Sequence, residues 1–226
     1  MVSAVSTSTG CPLRFEGWRR RAPKLDKSHT VAVLGTARTP DWLNPAFEVL
    51  ENAAYRLSKE GYDIITGGSD GANKAANTGA VPRRSFAVHV NRPAWRGVKN
   101  RRAGSRKPLF RDYASVHSGP ARTELLDDIS GFVVIAPGGA GSLQELGVTL
   151  EAMAYGDHPP EKVILLDAAF WADQMRQLRT MVEQGLLDAG VLDRIACVAV
   201  DPQNPRKAAD ALVEIITGRE GFEIFG

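Results

Sequence analysis

The chain has 226 residues, 43% of them hydrophobic and 24% charged, a composition that excludes disordered and collagen-like classes and is long enough to bury a full core. Only two cysteines occur, Cys11 and Cys197, without CxxC spacing, so neither a disulfide framework nor a structural zinc site is indicated and a reducing cytoplasm is expected. The apolar runs at 132–136 and 163–166 fall far short of the roughly 18 residues a membrane span needs.

The formal charge of +2 hides an asymmetry. Residues 1–28 carry six basic and two acidic residues. They begin Ser/Thr-rich and continue through Trp18-Arg19-Arg20-Arg21 without the apolar core of a secretory signal, which marks a basic N-terminal extension, or alternatively an organelle transit peptide. From residue 30 strands and helices alternate. Residues 31–35 form a continuous apolar run of strand length closed by a glycine, and from Pro45 apolar residues Phe47, Leu50, Ala54 and Leu57 keep helical spacing until Gly61. A second strand is expected at 63–66, a small-residue helix at 72–79 and a third strand at 85–90.

Residues 81–111 carry ten basic residues and no acid. With Pro93, Gly97, Gly104 and Pro108 as breakers, they are expected to form a mobile cationic insertion beside the substrate mouth, with Arg101, Arg102, Arg106 and Lys107 attracting anions. Order resumes near Pro120 with a helix at 122–129, a strand at 132–136, a glycine turn and a helix at 142–155. Strands at 162–167 and 195–200 and helices at 171–183 and 206–216 follow. Strand, helix, strand at this spacing requires parallel strands with right-handed crossovers. Residues 29–217 are therefore expected to be one Rossmann-like, doubly wound α/β domain with helices on both faces of a parallel sheet, followed by a tail at 218–226.

In such sheets ligands bind outside the carboxyl ends of the strands. Three glycine turns stand there: 34–38 (LGTAR), 66–71 (TGGSDG) and 137–142 (PGGAGS). Glycine lets backbone approach a ligand, and a following helix offers unpaired N–H groups to an anion; the plainer alternative for any one loop is a tight turn. None carries the GxGxxG or Walker lysine pattern, so a mononucleotide is expected rather than a dinucleotide or ATP.

VAVLGTARTP and GGSDGANKAANTGA within 30–80, and PGGAGSLQE at 137–145, resemble the Lonely guy (LOG) family, long labelled lysine-decarboxylase-like. Its motif is PGGxGTxxE with an arginine fifteen residues before the proline, and Arg122 stands fifteen before Pro137. The resemblance runs on through 162–171, 183–193 and 200–212. It implies a homodimeric Rossmann-like phosphoribohydrolase that cuts the base from nucleoside 5′-monophosphates. Some members activate cytokinins that way and others act on common nucleotides. Ser142 replaces the family threonine, Thr123 stands where lysine often follows the arginine, and Lys74 where longer bacterial members often have glutamate.

N-glycosidic cleavage passes through an oxocarbenium-like state, which a carboxylate near the anomeric carbon stabilises. The resemblance makes Glu145 and Arg122 the catalytic pair. Gly35, Thr36, Arg38, Gly67, Gly68, Gly138, Gly139, Gly141 and Ser142 would hold the phosphate and sugar. The scheme requires no cofactor and no metal, and His29, His89, His117 and His158 lack ligand spacing. Tyr113 and His117 are candidates for a wall of the base pocket. Two alternatives apply to the pair: Arg122 on a helix surface beside Asp127 or Glu124, and Ser142-Leu143-Gln144-Glu145 as an S-x-x-E capping box. At the level of function, the alternatives are a nucleotide-binding or sensing module without turnover and, less favoured, nucleic-acid binding through the basic segment. A homodimer would bury Leu125, Leu126, Ile129, Leu146, Leu150 and Met153 against a partner.

Overall fold

A computed structural model describes residues 24–90 and 109–218. Most of the basic extension (1–23), the core of the basic segment (91–108) and all but the first residue of the tail (219–226) lie outside the described residues.

Seven parallel strands make one sheet: β1 (Thr30–Leu34), β2 (Asp63–Thr66), β3 (Ser85–Val90), β4 (Arg111–Val116), β5 (Phe132–Ile135), β6 (Lys162–Leu166) and β7 (Ile195–Val198), in the order β4-β3-β2-β1-β5-β6-β7. The helices are α1 (Asn44–Lys59), α2 (Ala72–Gly79), α3 (Gly119–Ile129), α4 (Ala140–Tyr155), α5 (Ala168–Glu183), α6 (Ala189–Leu192) and α7 (Pro205–Thr217). All of β1 is buried, as a central parallel strand covered on both faces must be. Its side chains alternate between two cores: Val31 and Val33 join α1, α2 and α7 on one face, Ala32 and Leu34 join α3, α4, α5 and α6 on the other. Each buried Leu or Ile contributes about 1.5–3 kcal/mol relative to exposure.

Two elements depart from the sequence reading. β4 falls where order was expected only from Pro120. It is an edge strand with polar residues among its six and a register shift against β3 between Ala87 and Val88, so neither an apolar run nor clean alternation marks it. The basic segment is also not one insertion. Arg84 Nη1 donates to Asp63 Oδ1 at 2.9 Å beside β3, and the Arg111 guanidinium lies 5.6 Å from the centre of the Phe86 ring at the start of β4. Helix α6 went unread because it has only four residues; Asp188 caps it through the Gly190 N–H.

Of the six apolar residues expected to face a partner, half are covered within the chain and half are only partly covered. Leu126, Leu146 and Met153 are buried, and Leu125, Ile129 and Leu150 pack partly buried on the same core. Among the described residues no helix is long and apolar enough to cross a membrane.

Candidate functional site

β1 and β5 are neighbours in the sheet, yet β1 leads to α1 on one face and β5 to α4 on the other. Their outgoing loops therefore part and leave a crevice at the topological switch point. The crevice there has a volume of about 780 Å³. Of the eleven residues expected at the site, nine line it: Gly35, Thr36, Arg38, Arg122, Gly138, Gly139, Gly141, Ser142 and Glu145.

Its deepest feature is an ion pair. Arg122 Nη2 donates to Glu145 Oε1 at 2.6 Å, and the Gly35 N–H donates to Glu145 Oε2 at 3.2 Å. Arg122 thus sits neither with Asp127 nor with Glu124, and its side chain is 12% exposed against 6% for Glu145. Burial pushes the Glu145 carboxyl above the ordinary glutamate value; the Arg122 charge and the Gly35 N–H pull against it. Arg122 Nε is buried without a partner. An unmade buried donor opposes folding, and such concessions gather at functional sites.

The capping-box alternative for Glu145 is removed by where α4 starts. Gly139 is the N-cap and its cap makes no side-chain bond, so Ser142 lies inside the first turn and Glu145 beyond it. The amino end of α4 is bare backbone. Ala140 and Gly141 sit in its first turn, where helix geometry leaves N–H groups without an intrahelical acceptor, while the Ser142 N–H donates to Gly139 O at 3.0 Å. A Cβ on Gly139 or Gly141 would meet nothing within 4 Å; both open onto the crevice. Gly138 is bare for the opposite reason, since the Ser142 hydroxyl fills the place its Cβ would take. Gly35 has φ 137° and its Cβ would press on Ala136, which only glycine tolerates at this turn. Arg38 is exposed at the rim, and Thr36 Oγ1 accepts its backbone N–H at 3.0 Å.

Gly67 and Gly68 do not line the crevice, and their N–H groups are already taken. Gly67 donates to Asn73 Oδ1 at 2.9 Å and Gly68 to Thr66 Oγ1 at 3.0 Å. Asn77 and Asn73, one turn apart on α2, tie this loop: Thr66 Oγ1 donates to Asn77 Oδ1 at 2.7 Å, and Asn73 Nδ2 to Ser69 Oγ at 2.6 Å. Gly67 has a different use. A Cβ there would stand 2.7 Å from Arg122 Nη1 and 3.1 Å from Cζ, so its missing side chain makes the seat for the guanidinium. Tyr113 and His117 are not among the residues that line this crevice; Tyr113 packs edge-on against Phe86 and His117 is exposed after β4.

Sequence reasoning missed Trp42 and Phe170, which line the crevice. No local signal marks them, because the two are brought together only by the sheet order. Asp127, read in the sequence only as an alternative partner of Arg122, is buried on α3. Asp127 is 1% exposed, accepts from Thr149 Oγ1 at 3.1 Å and leaves Oδ2 unpartnered; burial pushes its carboxyl to about 7. Of the departures from the LOG pattern, Thr123 is fully buried with Oγ1 facing Gly119 O at 3.4 Å, and Lys74 is exposed 3.8 Å from Asp70.

Among solved structures, the molybdenum cofactor binding protein of the phototrophic bacterium Rippkaea orientalis is similar at 18% identity over 86% of this chain and 99% of its own, with a TM-score of 0.49. DNA processing protein A of Helicobacter pylori is similar at 18% identity over 84% of this chain and 82% of its own, with a TM-score of 0.46. Likeness that distant says nothing of what this chain binds. No curated protein matches the sequence. Residues 79–211, which run from the end of α2 into α7 and include Arg122 and the whole 137–145 motif, match the family described as "Possible lysine decarboxylase". With that match spanning more than half of the 226 residues, the chain belongs to this lysine-decarboxylase-like LOG family.

Proposed function

We propose that the crevice binds a nucleoside 5′-monophosphate and hydrolyses its N-glycosidic bond, releasing free base and ribose 5-phosphate. The observation that carries this reading is the buried Arg122–Glu145 pair at 2.6 Å, set beside the bare amino end of α4. The 5′-phosphate suits the first-turn N–H groups of Ala140 and Gly141 with the Arg38 cation at the rim. Phosphate held there brings the sugar toward Glu145.

In the reaction the bond from C1′ to the base nitrogen breaks and its electron pair leaves with the base, which takes up a proton from solvent that is returned when Glu145 later gives up the water proton. The oxygen of a water molecule bonds to C1′ and gives up a proton. Glu145 stabilises the positive charge that builds on C1′, and its raised carboxyl, a stronger base than an ordinary glutamate, accepts the water proton. Arg122 keeps the carboxylate aimed and donates to sugar or base oxygens.

A specific observation favours a second reading, nucleotide binding without turnover: both Glu145 oxygens already accept hydrogen bonds. One experiment separates the two. Purified protein is incubated with AMP, GMP, CMP, UMP and an N6-prenylated AMP, and products are resolved by chromatography. Free base with an equal amount of ribose 5-phosphate supports hydrolysis; bound but intact nucleotide supports the second reading.

A homodimer remains part of the proposal, with a changed surface. The exposed large apolar residues of α4 are Leu143, 47% exposed, and Tyr155, 85% exposed, and a second copy would cover them. Light scattering at micromolar concentration, with Tyr155→Asp beside the wild type, tests it; a strictly monomeric wild type refutes it. The reaction is placed in the cytoplasm on the same terms.

A further inference from the structure

We infer that Trp42 and Phe170 form the stacking platform for the base of the nucleotide. This rests on the proposed nucleotide reading and names the specificity surface of that site. Trp42 lies in the 3-10 turn Asp41–Leu43 after β1, and Phe170 in the first turn of α5 after β6. Two distant stretches of chain thus deliver one aromatic each to the same crevice. Their rings are near parallel, 25° apart with centroids separated by 6.3 Å. Trp42 is 61% exposed and Phe170 36%. Apolar rings left in water beside a polar crevice mark a surface awaiting a partner.

The platform is held in place from beneath. Leu43, next to Trp42, is buried, and Phe170 packs edge-on at 5.0 Å against Trp171, which is fully buried. The Phe170 N–H donates to Asp167 Oδ1 at 3.4 Å, and Asp167 caps α5 with φ 72°. It is the one non-glycine residue with positive φ among the described residues. A left-handed aspartate is uncommon, and here it accompanies the turn that sends Phe170 into the crevice.

The chemistry of the two walls assigns the ends of the ligand. The α4 side offers N–H donors and partial positive charge, which suit an anion. Aromatic faces carry negative quadrupole density, which repels phosphate and suits a flat π system. Stacking on such a face tolerates any base, since every base has a π face. A ligand that spans both walls has an anionic end and a planar end.

The test uses a base-bearing probe that cannot be cleaved. Formycin 5′-monophosphate joins its base to the sugar through carbon, so its binding is indifferent to turnover. Ribose 5-phosphate has the same anionic end without a base. Both are titrated calorimetrically into wild type, Trp42→Ala, Trp42→Phe and Phe170→Ala. We expect Trp42→Ala to weaken formycin 5′-monophosphate by about tenfold or more, to leave ribose 5-phosphate within about twofold, and Trp42→Phe to recover most of the loss. Equal weakening of both ligands, no weakening of either, or loss of dimer mass with unchanged nucleotide affinity overturns the platform. So does a wild type that binds the two ligands equally, an outcome that leaves the hydrolysis reading standing. Binding of neither ligand overturns both readings together.

Discussion

Gly67→Ala isolates the placement of Arg122 from its chemistry. The new Cβ would lie 2.7 Å from Arg122 Nη1 and 3.1 Å from Cζ. Ordinary carbon contacts are about 3.5–4 Å, so the guanidinium must withdraw by about 1 Å. It is the far end of a flexible side chain, so the backbone need not follow. Gly67 has no positive φ, and at a compatible site Gly→Ala stabilises by about 0.4–1 kcal/mol through the unfolded chain, partly offsetting the weakened pair. Tm should therefore stay within a few degrees of wild type. The Arg122–Glu145 bond, now 2.6 Å, would stretch past the roughly 3.2 Å limit of a good hydrogen bond. Misplacement by about 1 Å costs about a hundredfold in rate. Steady-state release of free base from AMP reads the effect, with thermal melting in parallel. Wild-type kcat/KM in a folded Gly67→Ala protein would show that Arg122 need not sit where the structure holds it.

Gly141→Ala puts a methyl group into open crevice. It should raise KM for nucleoside monophosphates and the Kd of ribose 5-phosphate several-fold, while gaining up to about 1 kcal/mol in helix stability; unchanged affinity in calorimetry would remove the α4 amino end from the site. Under the proposed hydrolysis Glu145, whose carboxyl is raised, would act ionised, so kcat/KM should climb with pH through a limb above the ordinary glutamate range; a flat profile from pH 4 to 8 would refute that role. Asp127, shifted from 3.8 to about 7, is protonated in the folded chain and ionised in the unfolded chain between those values. The folded state binds the extra proton there, so stability falls as pH rises from about 4 to about 7, by about 4 kcal/mol at most, and stays low above. Asp127→Asn, which keeps an acceptor for Thr149, should flatten that slope in urea melts at a series of pH values; an unchanged slope would assign the dependence elsewhere.

Six of the seven strands were legible in the sequence, the edge strand β7 among them, expected at 195–200 and found at Ile195–Val198. Residues 63–66 and 85–90 match β2 and β3 end for end, and β1, β5 and β6 agree to within a residue or two, because a parallel central strand must be apolar throughout. β4, at the other edge, was hidden because its six residues carry neither an apolar run nor clean alternation. Helix starts were read late at α3 and α4. Ser118 caps α3 through the Ala121 N–H, ahead of the first apolar residues, and glycine backbone alone starts α4. The crevice was legible where glycine follows a strand and its neighbours face open space, as at 138–141. Gly67 was misread because its reason for being bare, the Arg122 side chain, arrives from another helix. The Trp42–Phe170 pair was invisible for the same reason: it exists only once the sheet order places the ends of β1 and β6 on one side.

The proposed hydrolysis depends on the charge of Glu145. The direct measurement is a time course of adenine and ribose 5-phosphate release from AMP by wild type and Glu145→Gln. Glutamine keeps a carbonyl acceptor for the Gly35 N–H, which sits 3.2 Å from the carboxylate in the native chain, while it removes the charge and puts an amide NH2 where the other oxygen accepts from Arg122. Stoichiometric release of both products is expected from wild type. A loss of about a hundredfold or more is expected in Glu145→Gln, in protein that still binds formycin 5′-monophosphate. Equal rates in the two proteins, or intact AMP with wild type, would contradict the proposal.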